Sequence, residues 1–506
     1  MTNATSKTTA QTSTSSLPYT PSGPHTPLRR TKIVATLGPA SDRPGVLEAM
    51  LKAGVDVVRL NFSHGSADDH RRRLSEVREI AERLGRSVAA LGDLQGPKIR
   101  IARFIEGAVK LEVGQPFVLD MALDANSGTA DRVGCDYQTL ADDVVEGDRL
   151  LLDDGRLVLD VTRVVGQEVH TRVHVGGKLS NNKGINKQGG GLSAPALTEK
   201  DKDDLKTAIE IGVDYLAVSF PRSAADMQEA RELLGEAGKE IGLVAKLERA
   251  EAVADDATLD GIIEASEAVM VARGDLGVEI GDAALIGTQK RIIKHARSLN
   301  RAVITATQMM ESMIESPLPT RAEVFDVANA VLDATDAVML SAETAAGDYP
   351  VETIEAMNRV CLGAERERLA QESGHRIHEG FERIDETIAL SAMYAANHLS
   401  GVSAIACMTS TGYTPLIASR IRSGLPIVGL AHSPIAQRRM ALYRGVVSIP
   451  FDTTDMDPAN LNQEALKRLQ AQGFIHPGEH VILTRGDHMN AHGGTNTMKI
   501  LALESD

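Results

Sequence analysis

The strongest constraint on the fold is a repeated unit. Eight apolar, β-branched runs, at residues 32–36, 55–62, 88–94, 213–220, 241–248, 268–275, 302–308 and 337–343, each finish in polar residues. Helical stretches such as 226–237, 285–299 and 321–334 separate the later ones. Strands apolar on both faces must be covered on both faces, as in a parallel sheet with helices outside it. Eight such units predict an α/β fold, a (β/α)8 TIM barrel, whose chemistry gathers at the C-terminal ends of the strands.

The alternation breaks between residues 98 and 196. Short strand-like runs at 109–113, 116–119, 149–152, 157–165 and 168–175 are punctuated by glycines and Asp154-Gly155. They predict a small β domain inserted after the third strand. Helices resume at Thr198, a suitable N-cap followed by acids. Past residue 365 the chain becomes charged and histidine-bearing, so 366–383 reads as a linker. Residues 384–506 carry a helix at 385–399 and strands at 404–408, 427–430, 446–449 and 480–483, a separate α/β domain. The barrel is thus expected from 29–97 and 197–365, interrupted by 98–196. Residues 1–28, rich in Thr, Ser and Pro, are expected to be a disordered tail.

The 506 residues suffice for about three domains. The net charge of −15 argues against a nucleic-acid or anionic-membrane surface, so any anion site is a local basic pocket. No apolar run reaches membrane-spanning length. Three scattered cysteines, Cys135, Cys361 and Cys407, fit a reducing cytoplasm and no disulfide framework.

The polar strand ends carry the candidate chemistry. Val244-Ala-Lys-Leu-Glu248 presents Lys246 and Glu248 on one strand face; Val269-Met-Val-Ala-Arg-Gly-Asp275 adds Arg273, Asp275 and the backbone donors of a Gly turn. Two hard oxygen ligands beside an ammonium suit a divalent cation next to an anion, Mg²⁺ or Mn²⁺ rather than zinc. Lys246 would stabilise a transferring phosphoryl group or an enolate; a structural ion pair is the competing reading. Arg59, Asn61 and Ser63 close the second run, where an arginine either clamps a phosphate or bridges strands. His64 follows them, a nucleotide contact or a plain loop histidine. Asp93, Lys98 and Arg100 leave the third run toward the pocket or toward solvent. Thr307 offers a hydroxyl for substrate or proton relay, and Ser341–Thr344 offers support behind the site. In the last domain Thr409-Ser-Thr-Gly-Tyr-Thr414 is a hydroxyl-rich turn opening a helix, a second anion site or a simple cap.

From about Arg30 to Leu503 the chain resembles pyruvate kinase. The resemblance is carried by Lys32-Ile-Val-Ala-Thr-Leu-Gly-Pro-Ala-Ser41, Arg59–His64, Met270-Val-Ala-Arg-Gly-Asp-Leu-Gly277, Ala306-Thr-Gln-Met309, Pro319-Thr-Arg-Ala-Glu323 and Met339-Leu-Ser-Ala-Glu-Thr344. Ser180-Asn-Asn-Lys-Gly-Ile-Asn186 and Ser341-Ala-Glu-Thr-Ala-Ala-Gly347 are most similar to the bacterial type II form. The resemblance implies a barrel, a β-barrel lid, a C-terminal effector domain and a homotetramer that converts phosphoenolpyruvate and ADP to pyruvate and ATP. It implies that Glu248 and Asp275 hold the metal and that Lys246 stabilises the phosphoryl transition state. Arg59 would grip the phosphate, and Gly274, Asp275 and Thr307 the carboxylate end of the substrate. Thr307 would also lie near the proton path to the enolate. Asn61, Phe62, Ser63, His64, Arg100 and Lys183 would face the nucleotide.

Three departures from that pattern matter. Many relatives carry Thr, Lys and Glu where this chain has Leu94, Gln95 and Lys98, and they need K⁺. The Lys98 ammonium is therefore expected to replace K⁺. Some relatives have a lysine at the position of Ala346, so no nucleotide contact is expected there. Ser410 stands where forms activated by a sugar bisphosphate have a lysine. AMP or a sugar monophosphate bound by Thr409, Ser410, Thr411, Gly412 and Thr414 is expected instead. A barrel lyase with the same metal and lysine would lack a lid and nucleotide-side residues, and a non-catalytic sensor would have broken strand ends; Arg59, Lys246, Glu248, Asp275 and Thr307 are all present.

Overall fold

A computed structural model describes residues 28–371, 380–487 and 494–503. The expected tail, apart from Leu28, lies outside the described residues, as does the middle of the expected linker. All eight apolar runs become strands of one closed parallel barrel: Lys32–Thr36, Val57–Asn61, Ala89–Asp93, Tyr215–Val218, Gly242–Leu247, Ala268–Ala272, Ala302–Ala306 and Ala337–Leu340. We number them one to eight. Among the described residues no helix is long and apolar enough to cross a membrane.

Seven of the eight strands end sooner at their C-termini than the apolar runs suggest; the first, Lys32–Thr36, matches its run. Once a strand passes the barrel rim its N–H and C=O groups lose their ladder partners, and the chain must turn. The sixth strand stops at Ala272, so Arg273-Gly-Asp275 belongs not to a strand but to the first turn of the helix Arg273–Ile280. There the Asp275 carboxylate meets the positive end of the helix. Phe220, Thr307 and Gln308 turn with φ of 55°, 68° and 55°, a region that non-glycine residues occupy at a cost.

The opposite rim shows a pattern that the apolar runs concealed. An acid precedes every second strand, and its carboxylate accepts the N–H of the strand before: Asp56 from Ile33 at 2.9 Å, Asp214 from Ala90 at 2.8 Å, Glu267 from Leu243 at 2.6 Å and Asp336 from Val303 at 2.9 Å. The C-terminal domain docks onto this rim. Arg438 pairs with Asp214 at 2.7 Å, and Arg420 pairs with Asp336 while both are almost fully buried. Lys32 donates to the Val446 carbonyl at 2.7 Å.

Between the third and fourth strands stand a six-stranded sheet and a two-stranded pair. The six run in the order Ile185–Lys187, Arg149–Leu152, Leu157–Val165, Glu168–Val175, Pro116–Asp120, Arg132–Val133; Gly177–Ser180 pairs with Ala108–Leu111. The insert leaves the barrel at Gly96, whose φ is 66° and where a Cβ would lie 2.6 Å from Ser219 Cβ, so only glycine fits. Thr198 does cap the helix Glu199–Ile211, in a capping box with Asp201. The last domain is a five-stranded sheet, Val446–Pro450, Ile427–Ala431, Val402–Met408, His480–Gly486, Thr495–Ala502. Its last strand, antiparallel and at the edge, was not among the expected ones.

Candidate active site

The C-terminal rim of the barrel brings the polar strand ends together. Lys246 is the hub. Its Nζ donates to Ser219 Oγ at 2.7 Å and lies 3.0 Å from Glu248 Oε1 and 3.4 Å from Asp93 Oδ1. Burial works to lower its pKa, but Asp93 and Glu248 outweigh it, and the ammonium titrates above its ordinary value. Asp93 shows the converse: burial opposes its charge, yet Arg59 and Lys246 hold the carboxyl below its usual range.

Arg59 donates from Nε to Asp93 Oδ2 at 2.6 Å and from Nη1 to Thr36 Oγ1 at 3.0 Å. The strand-bridging reading of Arg59 is thus present in the structure. A guanidinium has five donors, so it can bridge and still meet an anion. Asp93 organises both cations, a role that a buried strand-end carboxylate signals only weakly in sequence.

Glu248 and Asp275 are the oxygen donors available for a divalent cation. Glu248 is buried and accepts the Phe220 N–H at 3.0 Å. Burial first, then the charges of Asp275 and Asp93, push its carboxyl up to about 6 despite Lys246. Two carboxylates that disfavour each other's charge fit a cation between them. Lys98 Nζ stands 3.3 Å from Asp275 Oδ1, so a fixed positive charge already occupies this side of the site. Leu94 is buried and presents no hydroxyl.

Thr307 sits in its strained turn with its proton donated to the Ala306 carbonyl at 2.7 Å, and its Oγ1 accepts the Gly274 N–H at 2.9 Å. Arg273, read from sequence as a strand-end charge, is turned away: Nη1 meets Asp326 at 2.7 Å and Nη2 the Thr307 carbonyl at 2.6 Å. It pins the turn. Glu343 ties two loops behind the site, accepting the N–H of Ser341 at 2.6 Å and of Met310 at 3.4 Å.

On the nucleotide-side candidates the structure is uneven. Asn61 Oδ1 accepts the Ser63 N–H at 3.1 Å, shaping the turn that exposes His64. Phe62 is buried and packs on His70, with ring centroids 4.6 Å apart. Its side chain therefore belongs to the core. Arg100 and Lys183 lie on adjacent segments of the insert, where Arg100 bridges to Gly184. Lys183 pairs with Asp153 at 2.7 Å. Two residues escaped sequence reasoning, Ser219 and Glu279. A serine ending the fourth run was the only available signal for the first.

The 409–414 loop belongs to the domain docked at the other end of the barrel. Thr409 Oγ1 accepts the Gly412 N–H at 2.9 Å and Thr411 Oγ1 the Tyr413 N–H at 3.3 Å. Ser410 and Thr411 are exposed. Thr414 is buried, its hydroxyl 2.7 Å from that of Thr495.

Residues 28–354 match the family model for the pyruvate kinase barrel domain, and residues 386–501 the model for the pyruvate kinase alpha/beta domain. The chain belongs to the pyruvate kinase family. It is 60% identical to pyruvate kinase II of Salmonella typhimurium over 94% of this chain and 99% of that one. It is 58% identical to the Haemophilus influenzae pyruvate kinase, covering 93% and 97% of the two chains. The Corynebacterium glutamicum pyruvate kinase is 41% identical over 94% and 98%. The chain is a family enzyme, a kinase, with the family's barrel and α/β domains.

Proposed function

We propose that the protein transfers a phosphoryl group from phosphoenolpyruvate to ADP, giving pyruvate and ATP. The supporting observation is the charged cluster around Lys246, held above its ordinary pKa between Ser219, Glu248 and Asp93 and beside Arg59. Arg59 and Lys246 face the phosphoryl group and neutralise charge on its equatorial oxygens as it leaves the enol oxygen for a terminal ADP oxygen. Glu248 and Asp275 would hold Mg²⁺ or Mn²⁺, which supplies further charge neutralisation. Gly274, Asp275 and Thr307 orient the carboxylate end. Thr307, whose hydroxyl hydrogen-bonds the Ala306 carbonyl at 2.7 Å, lies near the proton path to the enolate carbon, which can run through a water. Asn61, Ser63 and His64 at the rim and Arg100 and Lys183 on the insert face ADP, and the insert acts as a lid that excludes water.

The Lys98 ammonium 3.3 Å from Asp275 supports a K⁺-independent enzyme. A coupled pyruvate-formation assay tests both statements. Activity is expected only with ADP and a divalent ion, at similar rates in K⁺ and in tetramethylammonium at matched ionic strength. Lys98→Glu is expected to acquire K⁺ dependence. Strong activation of the parent enzyme by K⁺ would sink the Lys98 assignment.

Protons and metal compete for Glu248. With its metal-free carboxyl at about 6, Glu248 binds more protons folded than unfolded between about 4.5 and 6. The metal-free protein therefore loses the stability tied to that group as pH rises through this window. A bound divalent ion restores it. Thermal stabilisation by Mn²⁺ is expected to be large at pH 8 and to fade as pH drops below about 6. A pH-independent shift would remove Glu248 from the ligand set.

A homotetramer fits three exposed apolar side chains, Ile286, Leu318 and Phe325, on or beside the outer helices Asp282–Ser298 and Arg321–Leu332. The free, buried cysteines fit a cytoplasmic setting. The exposed Ser410 and Thr411 fit a phosphorylated activator, AMP or a sugar monophosphate, at the 409–414 loop.

A further inference from the structure

The insert returns to the barrel through Gln188 and three glycines, and two acids of the barrel hold that passage. Glu279, in the last turn of the helix Arg273–Ile280, accepts the Gly189 N–H on its carbonyl at 3.0 Å. Its Oε1 accepts from Asn186 Nδ2 at 3.3 Å and its Oε2 from the Ala250 N–H at 2.8 Å. Glu251 takes the Gly191 N–H. A side chain on Gly190, at φ 81°, would run into the Glu251 carboxylate.

Beside this passage lies a narrow cleft lined among others by Lys98, Asn186, Arg249, Asp275 and Glu279. Arg249 is 3% exposed, yet its Nε and Nη1 have no hydrogen-bond partner. Two buried guanidinium nitrogens without a partner are costly, which leaves Arg249 free to gain from a nearby carboxylate. Glu279 is the carboxylate suited to that part. It is 3% exposed and lines the same cleft, and the Arg249 charge is among the influences that favour its ionised form. Burial, the largest influence, lifts its carboxyl to about 7, so a cation has something to gain there.

Asp275 and Glu279 are four residues apart on one helix and therefore share a face. The carboxylate that would hold the metal and the one that holds the lid passage sit about one turn apart on the same helix.

We propose that Glu279 is a positioning residue that exchanges partners as the lid moves: Asn186 of the lid when the lid sits as here, and Arg249 of the barrel when the lid swings away. A buried carboxylate that trades one donor for another makes the lid two-state rather than loosely hinged. The benefit of this to ADP binding rests on the reaction assigned above.

Opposed variants test the exchange. Amide hydrogen exchange at residues 188–192 is followed without metal or nucleotide, so its outcome is independent of that assignment. Asn186→Ala removes the present donor and is expected to speed exchange by about three- to ten-fold, the weight of one hydrogen bond, with a matching rise in KM for ADP. Arg249→Met removes the alternative donor and is expected to slow exchange and to lower KM and kcat together, because opening becomes harder. In a Glu279→Ala background, Asn186→Ala is expected to have no further effect. Equal directions for Asn186→Ala and Arg249→Met, or a full Asn186→Ala effect without Glu279, would overturn the proposal.

Discussion

Lys246→Met is expected to lower kcat by about 10³-fold with a much smaller change in KM for phosphoenolpyruvate. The Lys246 ammonium donates to Ser219 at 2.7 Å and is ion-paired with Glu248 at 3.0 Å and Asp93 at 3.4 Å, and a tetrahedral ammonium has three N–H bonds to give. An arriving phosphoryl oxygen takes up the N–H on the side of Asp93, whose contact is the longest. The gain is realised as charge moves onto the transferring group, so the loss falls on kcat. Asp93 keeps Arg59 as a partner in the variant, and Glu248 can take a proton, so folding should survive. Lys246→Arg is expected not to restore the rate, because a planar guanidinium cannot satisfy the same three directions. Steady-state kinetics with a thermal melt on each variant decide it. A kcat within tenfold of the parent would remove Lys246 from the transition state.

Arg420→Met is expected to destabilise the protein by about 3–5 kcal/mol, the usual cost of leaving half of a buried ion pair. Arg420 donates to Asp336 Oδ2 at 2.9 Å, to the Arg301 carbonyl at 2.6 Å and to Ser419 Oγ at 2.7 Å. Asp336 in turn holds the Val303 and Arg444 N–H groups, each at 2.9 Å. One carboxylate thus joins the seventh barrel strand, the eighth and the C-terminal domain. Asp336→Ala is expected to cost a similar amount, and the double variant clearly less than the sum. Urea unfolding, read at the first transition because the chain has several domains, measures this. Full additivity would mean that the two residues act separately.

The barrel was legible because strands covered on both faces must be apolar throughout. Their ends were less legible for a related reason: the residues that do chemistry are those that leave the ladder. That is why 268–275 read as a strand while Arg273 and Asp275 lie in a helix. Sequence shows that a charge sits at the rim but not which way it turns. Arg273 faces Asp326, and Arg59 serves Asp93 and Thr36. Ser219 is an ordinary strand serine until Lys246 is seen 2.7 Å away. Thr414 looked like a loop hydroxyl, but its partner Thr495 is 81 residues distant, on an edge strand whose half-exposed pattern gave no clear period.

The four acids of the lower rim group the strands into pairs, one with two, three with four, five with six and seven with eight. Three of these ties span 23, 24 and 33 residues, whereas Asp214 reaches Ala90 across 124, because the insert lies between them. Closing a longer loop costs more chain entropy, though only logarithmically so. The lid has therefore been placed inside one strand pair rather than between pairs. Closing that pair carries the largest chain-entropy cost of the four ties, so it is expected to form later than the other three.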